Sequence, residues 1–404
     1  MKRLIRITAP ADTSFAPMTF TRQPVVHRFW LGGLVLAFVG FFFGFFLWMW
    51  QHDQLPIQGD FFLIRLWHAR VQIEGFLGSF LMGFALQSGP HITGGKPPPS
   101  SSLLKLPFLL WIGLFLSLFS LEWLALIGMV LISMAYGGAG YFLWQVTRQG
   151  NPRFQIPRGY PLAAGMALMA AAPWLSLDDP NEALFLLWCG PVTMAMVAGQ
   201  QLIQNVLGGR LLQDRPARLL VITLALAWLF TALAGLTPLE IWPMAGAAWL
   251  ITLFLFLHGT HFFAAAWRNG LSSINVTLTL GFLHVLMAAG WLVTGEGTPD
   301  VAVHLLGVGS LTTLIIGVTV RVAGFFSAGA VMGDRVALWL LLLWAGVAWM
   351  RSFFPVWAMP ERLTLWVSLA GALILGFWGM RTAGRLMKIH TLVPVNLGGS
   401  KPDG

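Results

Sequence analysis

The sequence predicts an all-α membrane protein, a polytopic helical bundle of about twelve transmembrane helices with both termini cytoplasmic. Three observations carry that prediction. The 404 residues are 57% hydrophobic and only 10% charged. Apolar runs long enough to cross a bilayer recur along the whole chain. When successive loops are assigned to alternate sides, all of the 24 Lys and Arg except Arg65, Arg70, Arg351 and Arg362 collect with the N-terminus. Most of the acids (Asp53, Asp60, Glu122, Asp178, Asp179, Glu182, Glu240, Glu296, Asp300 and Glu361) fall opposite. An excess of Lys and Arg marks the cytoplasmic side, and adding or dropping one helix would scramble the asymmetry.

Charge, proline or glycine bounds each apolar run. The spans fall at 29–50, 67–89, 104–120, 122–146, 160–177, 182–207, 217–236, 239–266, 272–293, 301–322, 334–354 and 363–387. The third and fourth are separated only by a tight turn at Ser120–Glu122, which the loop charges require. Trp48, Trp50, Trp67, Trp144, Trp242, Trp267 and Trp291 near predicted ends suit an aromatic belt. The stretch His91–Ser102, HITGGKPPPSSS, reads as a solvated cytoplasmic connector. Residues 1–28 form a cytoplasmic N-terminal tail, 29–388 a single membrane domain, and 389–404 a cytoplasmic C-terminal tail. Lys2, Arg3 and Arg6 precede the first apolar run by too much for a cleavable signal, so that tail is expected to stay uncleaved in the bacterial inner membrane.

Composition also excludes. The formal charge of +9 is spread through short loops with no basic patch, so the partner it implies is the lipid bilayer and not nucleic acid. The lone Cys189 excludes an intrachain disulfide and any multi-cysteine metal site, so iron or copper would rest on histidine.

Depth picks out the candidate chemistry. In WHARVQIEGFLGSFLMGFALQSGP, from Trp67 to Pro90, His68, Gln72, Gly75 and Ser79 share a helix face, and Gly75, Ser79 and Gly83 recur at a spacing that admits a close neighbour. Arg70 and Glu74 form an i,i+4 pair beside them, with Glu74 roughly 10 Å inside the helix start. As a structural pair they fix the second helix; as a functional one they offer a proton path or an anchor for a carboxylate-bearing cofactor. The structural reading is the simpler. His68 and His304 each lie near the periplasmic end of their spans and can share a level. His258, ~15 Å from the cytoplasmic end of the eighth span, and His284, ~18 Å into the ninth, form a second level pair near mid-membrane, with His261 one turn below. Gln200, Gln201, Gln204 and Asn205 set amides at a similar depth in the sixth span. A single intramembrane histidine reads first as a packing residue bonded to a hydroxyl or carbonyl. Two level pairs on separate helices make the pattern expected of bis-histidine haem, or of haem plus copper.

Three stretches together resemble the NnrS family of polytopic membrane proteins. The first, with Trp67, His68, Gly75, Gly83, Phe84 and Pro90, is similar to the family's second-helix signature, although Arg70 stands where the family has a second histidine. LFLHGTHFFAAAWRNG is similar to a later Leu-His segment and carries its histidine role onto His258. VHLLGVGSLTTLIIGVTVRV matches a His-containing helix closing in arginine, through His304, Gly307, Gly309 and Arg321. There the family continues Gly-His-Thr-Gly-Arg and this chain has Ala323-Gly324-Phe325-Phe326-Ser327. The resemblance implies haem and copper as cofactors and a part in nitric oxide metabolism or nitrosative stress. The metal ligands would be His68 and His304, and the cofactor residues His258, His284 and His261. Nitric oxide or another diatomic gas is then the small-molecule partner, with an electron donor that no motif names, and no motif states turnover. A metal-free transporter of about twelve helices is the first rival, with the histidines, Glu74 and the amides lining a solute path, but no clear internal repeat supports it. A respiratory-type oxidoreductase is the second, against which stands the lack of an adjacent His-His pair and of a proton-channel set of acids.

Overall fold

The computed structural model describes residues 24–51, 60–97, 100–119, 121–212, 214–295, 299–326, 330–353, 356 and 360–388. The expected tails therefore lie almost wholly outside the described residues. Among those residues the chain is all-α, with thirteen helices, nine of them long and apolar enough to cross a membrane. In order these are α1 (Pro24–Gln51), α2 (61–93), α3 (Lys105–Ser117), α4 (Glu122–Gln149), α5 (152–174), α6 (Pro180–Leu207) and α7 (Asp214–Leu236). They continue with α8 (Trp242–Gly259), α9 (Phe262–Asn269), α10 (Ser273–Thr294), α11 (299–326), α12 (Asp334–Phe353) and α13 (Glu361–Lys388). The protein is a multi-pass membrane protein. The nine are α1, α4, α6, α7, α8, α10, α11, α12 and α13.

Local sequence sets the helix ends. Asp60 caps α2 by accepting from the amides of Phe62 and Leu63 at 2.9 and 3.2 Å. Asn151 and Asp179 cap α5 and α6, each followed by a proline at the first helical position, where its missing N–H costs nothing. The predicted eighth span is broken. α8 stops at Gly259 and His261, at φ 55°, turns the chain into the separate short helix α9.

The packing closes on itself, since α1 contacts both α2 and α13. The small-residue stripe of α2 is filled from two sides: Leu36 of α1 and Leu114 of α3 lie over Gly75, and Phe29 and Trp30 over Gly83. Trp30, Trp188, Trp249, Trp344 and Trp378 are fully buried, so tryptophan here builds the core as well as a belt. Several hold a partner there: Trp249 donates to Thr231 Oγ1 at 2.9 Å and Trp344 to the Val308 carbonyl at 3.0 Å.

Among the described residues four helices widen locally into π turns, at Val71–Leu77 of α2, Gln155–Gly159 of α5, Trp188–Val192 of α6 and Leu305–Leu311 of α11. A π turn inserts a residue into the α ladder and frees a carbonyl, which inside lipid must find another donor. Side chains supply it. Tyr136 Oη donates to the Glu74 carbonyl at 2.5 Å, Thr193 Oγ1 to Trp188 at 3.2 Å, and Thr312 Oγ1 to Gly307 at 2.7 Å. The turn in α11 touches those in α2 and α6, so three of the four meet inside the bundle. Gly78 is required at the Tyr136 contact, because a Cβ there would overlap Tyr136 Oη.

Tyr136→Phe leaves the Glu74 carbonyl unpaired and fully buried, a cost of about 1–3 kcal/mol. It should lower the Tm of the detergent-solubilised protein by several degrees, while Tyr141→Phe, at an exposed site, should leave it unchanged.

Candidate functional site

Of the histidines singled out by depth, the fold brings two together. His68 in α2 and His304 in α11 lie within electrostatic reach of each other, and Asp300 and Arg351 act on His68 as well. Backbone geometry fixes both rings the same way. His68 Nδ1 donates to the Gly40 carbonyl of α1 at 2.8 Å, and His304 Nδ1 donates to the Asp300 carbonyl, one turn back, also at 2.8 Å. With Nδ1–H committed, Nε2 is left as the nitrogen carrying the free lone pair on each ring. Asp300 Oδ2 stands 3.3 Å from His304 Nδ1 and its Oδ1 4.0 Å from Arg65. Arg351 acts on Asp300 too. The cluster is Arg65, His68, Asp300, His304 and Arg351, drawn from α2, α11 and α12. Gly44 of α1 makes room for it, since a Cβ there would come within 2.8 Å of His68 Cε1.

Both rings sit at the mouth of a π turn. Val71–Leu77 follows His68 and Leu305–Leu311 follows His304, and the two turns touch. Gln72, from the α2 turn, packs beside Gly40, the residue whose carbonyl orients His68. His284 of α10 lies against the other turn. It is fully buried, its Nδ1 donates to the Leu280 carbonyl at 2.6 Å, and its Nε2 has no partner. A Cβ on Gly309 would come within 2.6 Å of its ring, and the edge of Trp349 closes another side with centroids 6.3 Å apart.

The remaining candidates lie elsewhere. His258 occupies the last turn of α8, exposed and stacked on Phe254 at 5.7 Å. The next residues carry a loop contact, with the Arg210 amide donating to the Thr260 carbonyl at 2.8 Å. His258 is therefore near a helix end and not level with His284, which lies mid-way along α10; the expected depth assumed an unbroken eighth span. His261 is exposed at the break itself. Arg70 and Glu74 are both buried and lie within electrostatic reach of each other, but no salt bridge joins them. Arg70 donates to the Pro173 carbonyl at 3.0 Å, while both Glu74 carboxylate oxygens lack a hydrogen-bond partner. The α2 π turn begins between them, so the regular i,i+4 register does not hold there. Gln200 and Gln204 gather around Arg158, far from the histidines in sequence and on other helices. Sequence reasoning passed over Arg65, Asp300 and Arg351. Two of these are among the four basic residues that the charge asymmetry left stranded on the Arg-poor side, and that was the available signal.

A family model described as NnrS protein matches residues 22–388. The chain belongs to the NnrS family. Part of it is also similar to Protein PucC of Cereibacter sphaeroides, 28% identical over 142 residues, which is 33% of this chain and 29% of that protein. The chain thus matches under a third of that relative's length.

Haem iron and copper are both held by imidazole nitrogen, which allows a test of fit on the NnrS fold itself. His68 and His304 fit: each presents a free Nε2 with Nδ1 fixed by a carbonyl, the arrangement that orients a ligating histidine. Beside them two guanidiniums face one carboxylate, which favours a metal arriving with negatively charged groups over a bare cation. His258 and His284 do not fit as a pair. Among the described residues no group of three or more His, Cys, Asp or Glu could hold a metal ion, so protein donors alone give at most a two-imidazole set.

Because His284 packs on Gly309, Gly309→Ala should cost about 1–3 kcal/mol through overpacking. Gly307→Ala in the same π turn meets nothing within 4 Å. Thermal unfolding of the two variants should separate them by several degrees.

Proposed function

We propose that this NnrS-family protein is a bacterial inner-membrane metalloprotein of about twelve spans, with both termini cytoplasmic. Its metal is held between His68 and His304 near the periplasmic face, and its role lies in nitric oxide metabolism or the response to nitrosative stress. Each predicted span except the eighth, which α8 and α9 divide, coincides with a described helix, with α2, α3 and α5 joining the nine, which supports the higher count. The observation that carries the metal assignment is the convergence of two imidazoles from helices at opposite ends of the chain, each with Nδ1 tied to a carbonyl.

A metal held there supplies a centre to which a neutral diatomic gas can bind. The protein's own groups do the rest. The carbonyls of Gly40 and Asp300 fix the tautomer and aim of the two rings. Arg65 and Arg351 supply positive charge that stabilises negative charge on whatever is bound, and Asp300 keeps that surplus from reaching two full charges. The apolar helices around the site admit an uncharged gas and exclude ions.

Purified wild-type protein should contain iron or copper in about stoichiometric amount, iron as haem being recognised by its Soret band. His68→Ala and His304→Ala should each lower metal occupancy at least tenfold, and Asp300→Asn, which keeps the backbone carbonyl that holds His304 but removes the carboxylate charge beside its ring, should weaken affinity about 10- to 100-fold. His258→Ala and His261→Ala should retain the metal. A folded wild type free of metal, or a His68/His304 double variant that keeps it, defeats the assignment.

Topology has its own test. In a Cys189→Ser background, Asp178→Cys should react with an impermeant thiol reagent on intact spheroplasts, whereas Arg153→Cys should react only after permeabilisation. The reverse pattern would invert the orientation.

A further inference from the structure

Among the described residues Glu74 is the only acid that is fully buried, and the histidine cluster does not use it. It lies in the π turn of α2, and neither of its carboxylate oxygens has a hydrogen-bond partner. Two groups share its electrostatic neighbourhood, Arg70 on its own helix and Tyr136 of α4. Neither meets the carboxylate. Arg70 gives its Nη2 to the Pro173 carbonyl at 3.0 Å, and Tyr136 gives its hydroxyl to the Glu74 backbone carbonyl at 2.5 Å. The other helices packed on this turn are α1, α3, α5 and α11, and among the described residues they bring no further ionisable group that acts on Glu74. From α1 and α3 the turn receives Leu36 and Leu114, against Gly75.

Asp300 supplies the contrast. It stands 3.3 Å from His304 and 4.0 Å from Arg65, with Arg351 acting on it as well, so its negative charge is matched. A carboxylate buried with no contact to a donor is far costlier charged than neutral. Two carboxyl groups in such different surroundings divide into one that stays ionised and one that carries a proton. Placement gives that proton a route. The turn holding Glu74 begins about one helical turn after His68 and touches the α11 π turn that follows His304. On that second turn Ser310 Oγ is buried and unpartnered, and His284, packed on its Gly309, has an unpartnered Nε2. Carboxyl, hydroxyl and imidazole groups able to pass a proton therefore lie along the two touching turns.

We propose that Glu74 is a proton-binding site, whose carboxyl holds an exchangeable proton at neutral pH and releases and recovers it in place of pairing with Arg70. On release the O–H bond breaks with its electron pair left on the carboxylate, and the proton passes through the polar groups of the two turns to water. This ligand needs no cavity, only a basic oxygen without a competing cation in contact. The site stands whether or not the histidine cluster holds a metal.

Infrared spectroscopy of the full-length protein in dodecyl maltoside reads the proton directly. At about pH 7, where exposed Asp and Glu are ionised, wild type should show the C=O band of a neutral carboxylic acid. The band should shift in deuterated water, because its proton exchanges. These two observations need no variant. Glu74→Gln should lose the band, and Asp300→Asn should keep it. Thermal unfolding gives a second readout. Glutamine copies the shape of the neutral carboxyl, so Glu74→Gln should melt at or above the wild-type Tm at about pH 7, whereas removing an ionised partner of Arg70 would lower Tm by several degrees. An unfolded glutamate ionises at about pH 4.3 while the folded one keeps its proton, so unfolding releases a proton and rising pH favours it. Between about pH 5 and about pH 7 the wild-type Tm should therefore fall by several degrees relative to that of Glu74→Gln. A wild type without the band, a band that does not shift in deuterated water or that Glu74→Gln retains, or a Glu74→Gln variant melting several degrees below wild type overturns the proposal.

Discussion

Hydrocarbon offers no hydrogen-bond partner, and the polar architecture of this protein follows from that. An ordinary helix meets the condition by pairing its own backbone, but a helix that widens cannot. The four π turns each create a carbonyl with no intrahelical donor, and for three of them the side-chain hydroxyl that replaces it is Tyr136, Thr193 or Thr312. Each replacement avoids a penalty of about 1–3 kcal/mol per unpaired buried group. The gain is directional: the inserted residue turns the following side chains off the face they would otherwise share. Glu74 lies within such a turn and makes no salt bridge with Arg70, and Arg158 lies within another and donates to the glutamines of α6.

The histidines obey the same condition with one atom to spare. An imidazole in a membrane needs partners for two nitrogens, and His68, His284 and His304 each satisfy Nδ1 with a backbone carbonyl. For His284 and His304 that carbonyl is four residues back on their own helix, where the α ladder already uses one of its lone pairs and leaves the other available. For His68 it belongs to Gly40 of α1, so its orientation depends on the packing of two helices and on the missing side chain of Gly44. His284 differs in being sealed, by Gly309 and Trp349, which leaves its Nε2 facing protein. His68 and His304 are only partly buried, and that separates them from His284 as candidate ligands.

Much of this was legible in the sequence, and the illegible part has a common cause. Apolar runs and loop charges are sums over many residues, so helix positions survive local error, and even the tight connection between α3 and α4 follows from them. Depths of single residues are not sums. The estimate for His258 assumed that the span ran unbroken to Arg268, and one left-handed residue at His261 was enough to shift it to a helix end. Likewise 3.6 residues per turn pairs Arg70 with Glu74, and with a π turn beginning between them the two stay within electrostatic reach but form no salt bridge. Arg158 read as one more basic residue of the Arg-rich side, because nothing in its own neighbourhood shows that Gln200, Gln201 and Gln204, more than forty positions later, fold over it.

The histidine cluster draws on nearly the whole length of the chain. His68 and His304 come from α2 and α11, the carbonyl that orients His68 comes from α1, and Arg351 comes from α12. A fragment holding either end alone has one imidazole and a surplus of guanidinium, which is a poor metal site and an expensive thing to bury. Only when α11 packs against α2, through the contact of their two π turns, do the rings, Asp300 and the two arginines reach one neighbourhood. The match over residues 22–388 takes in every one of these elements. The match therefore spans all the elements from which the cluster is built, and not merely a stretch around one histidine.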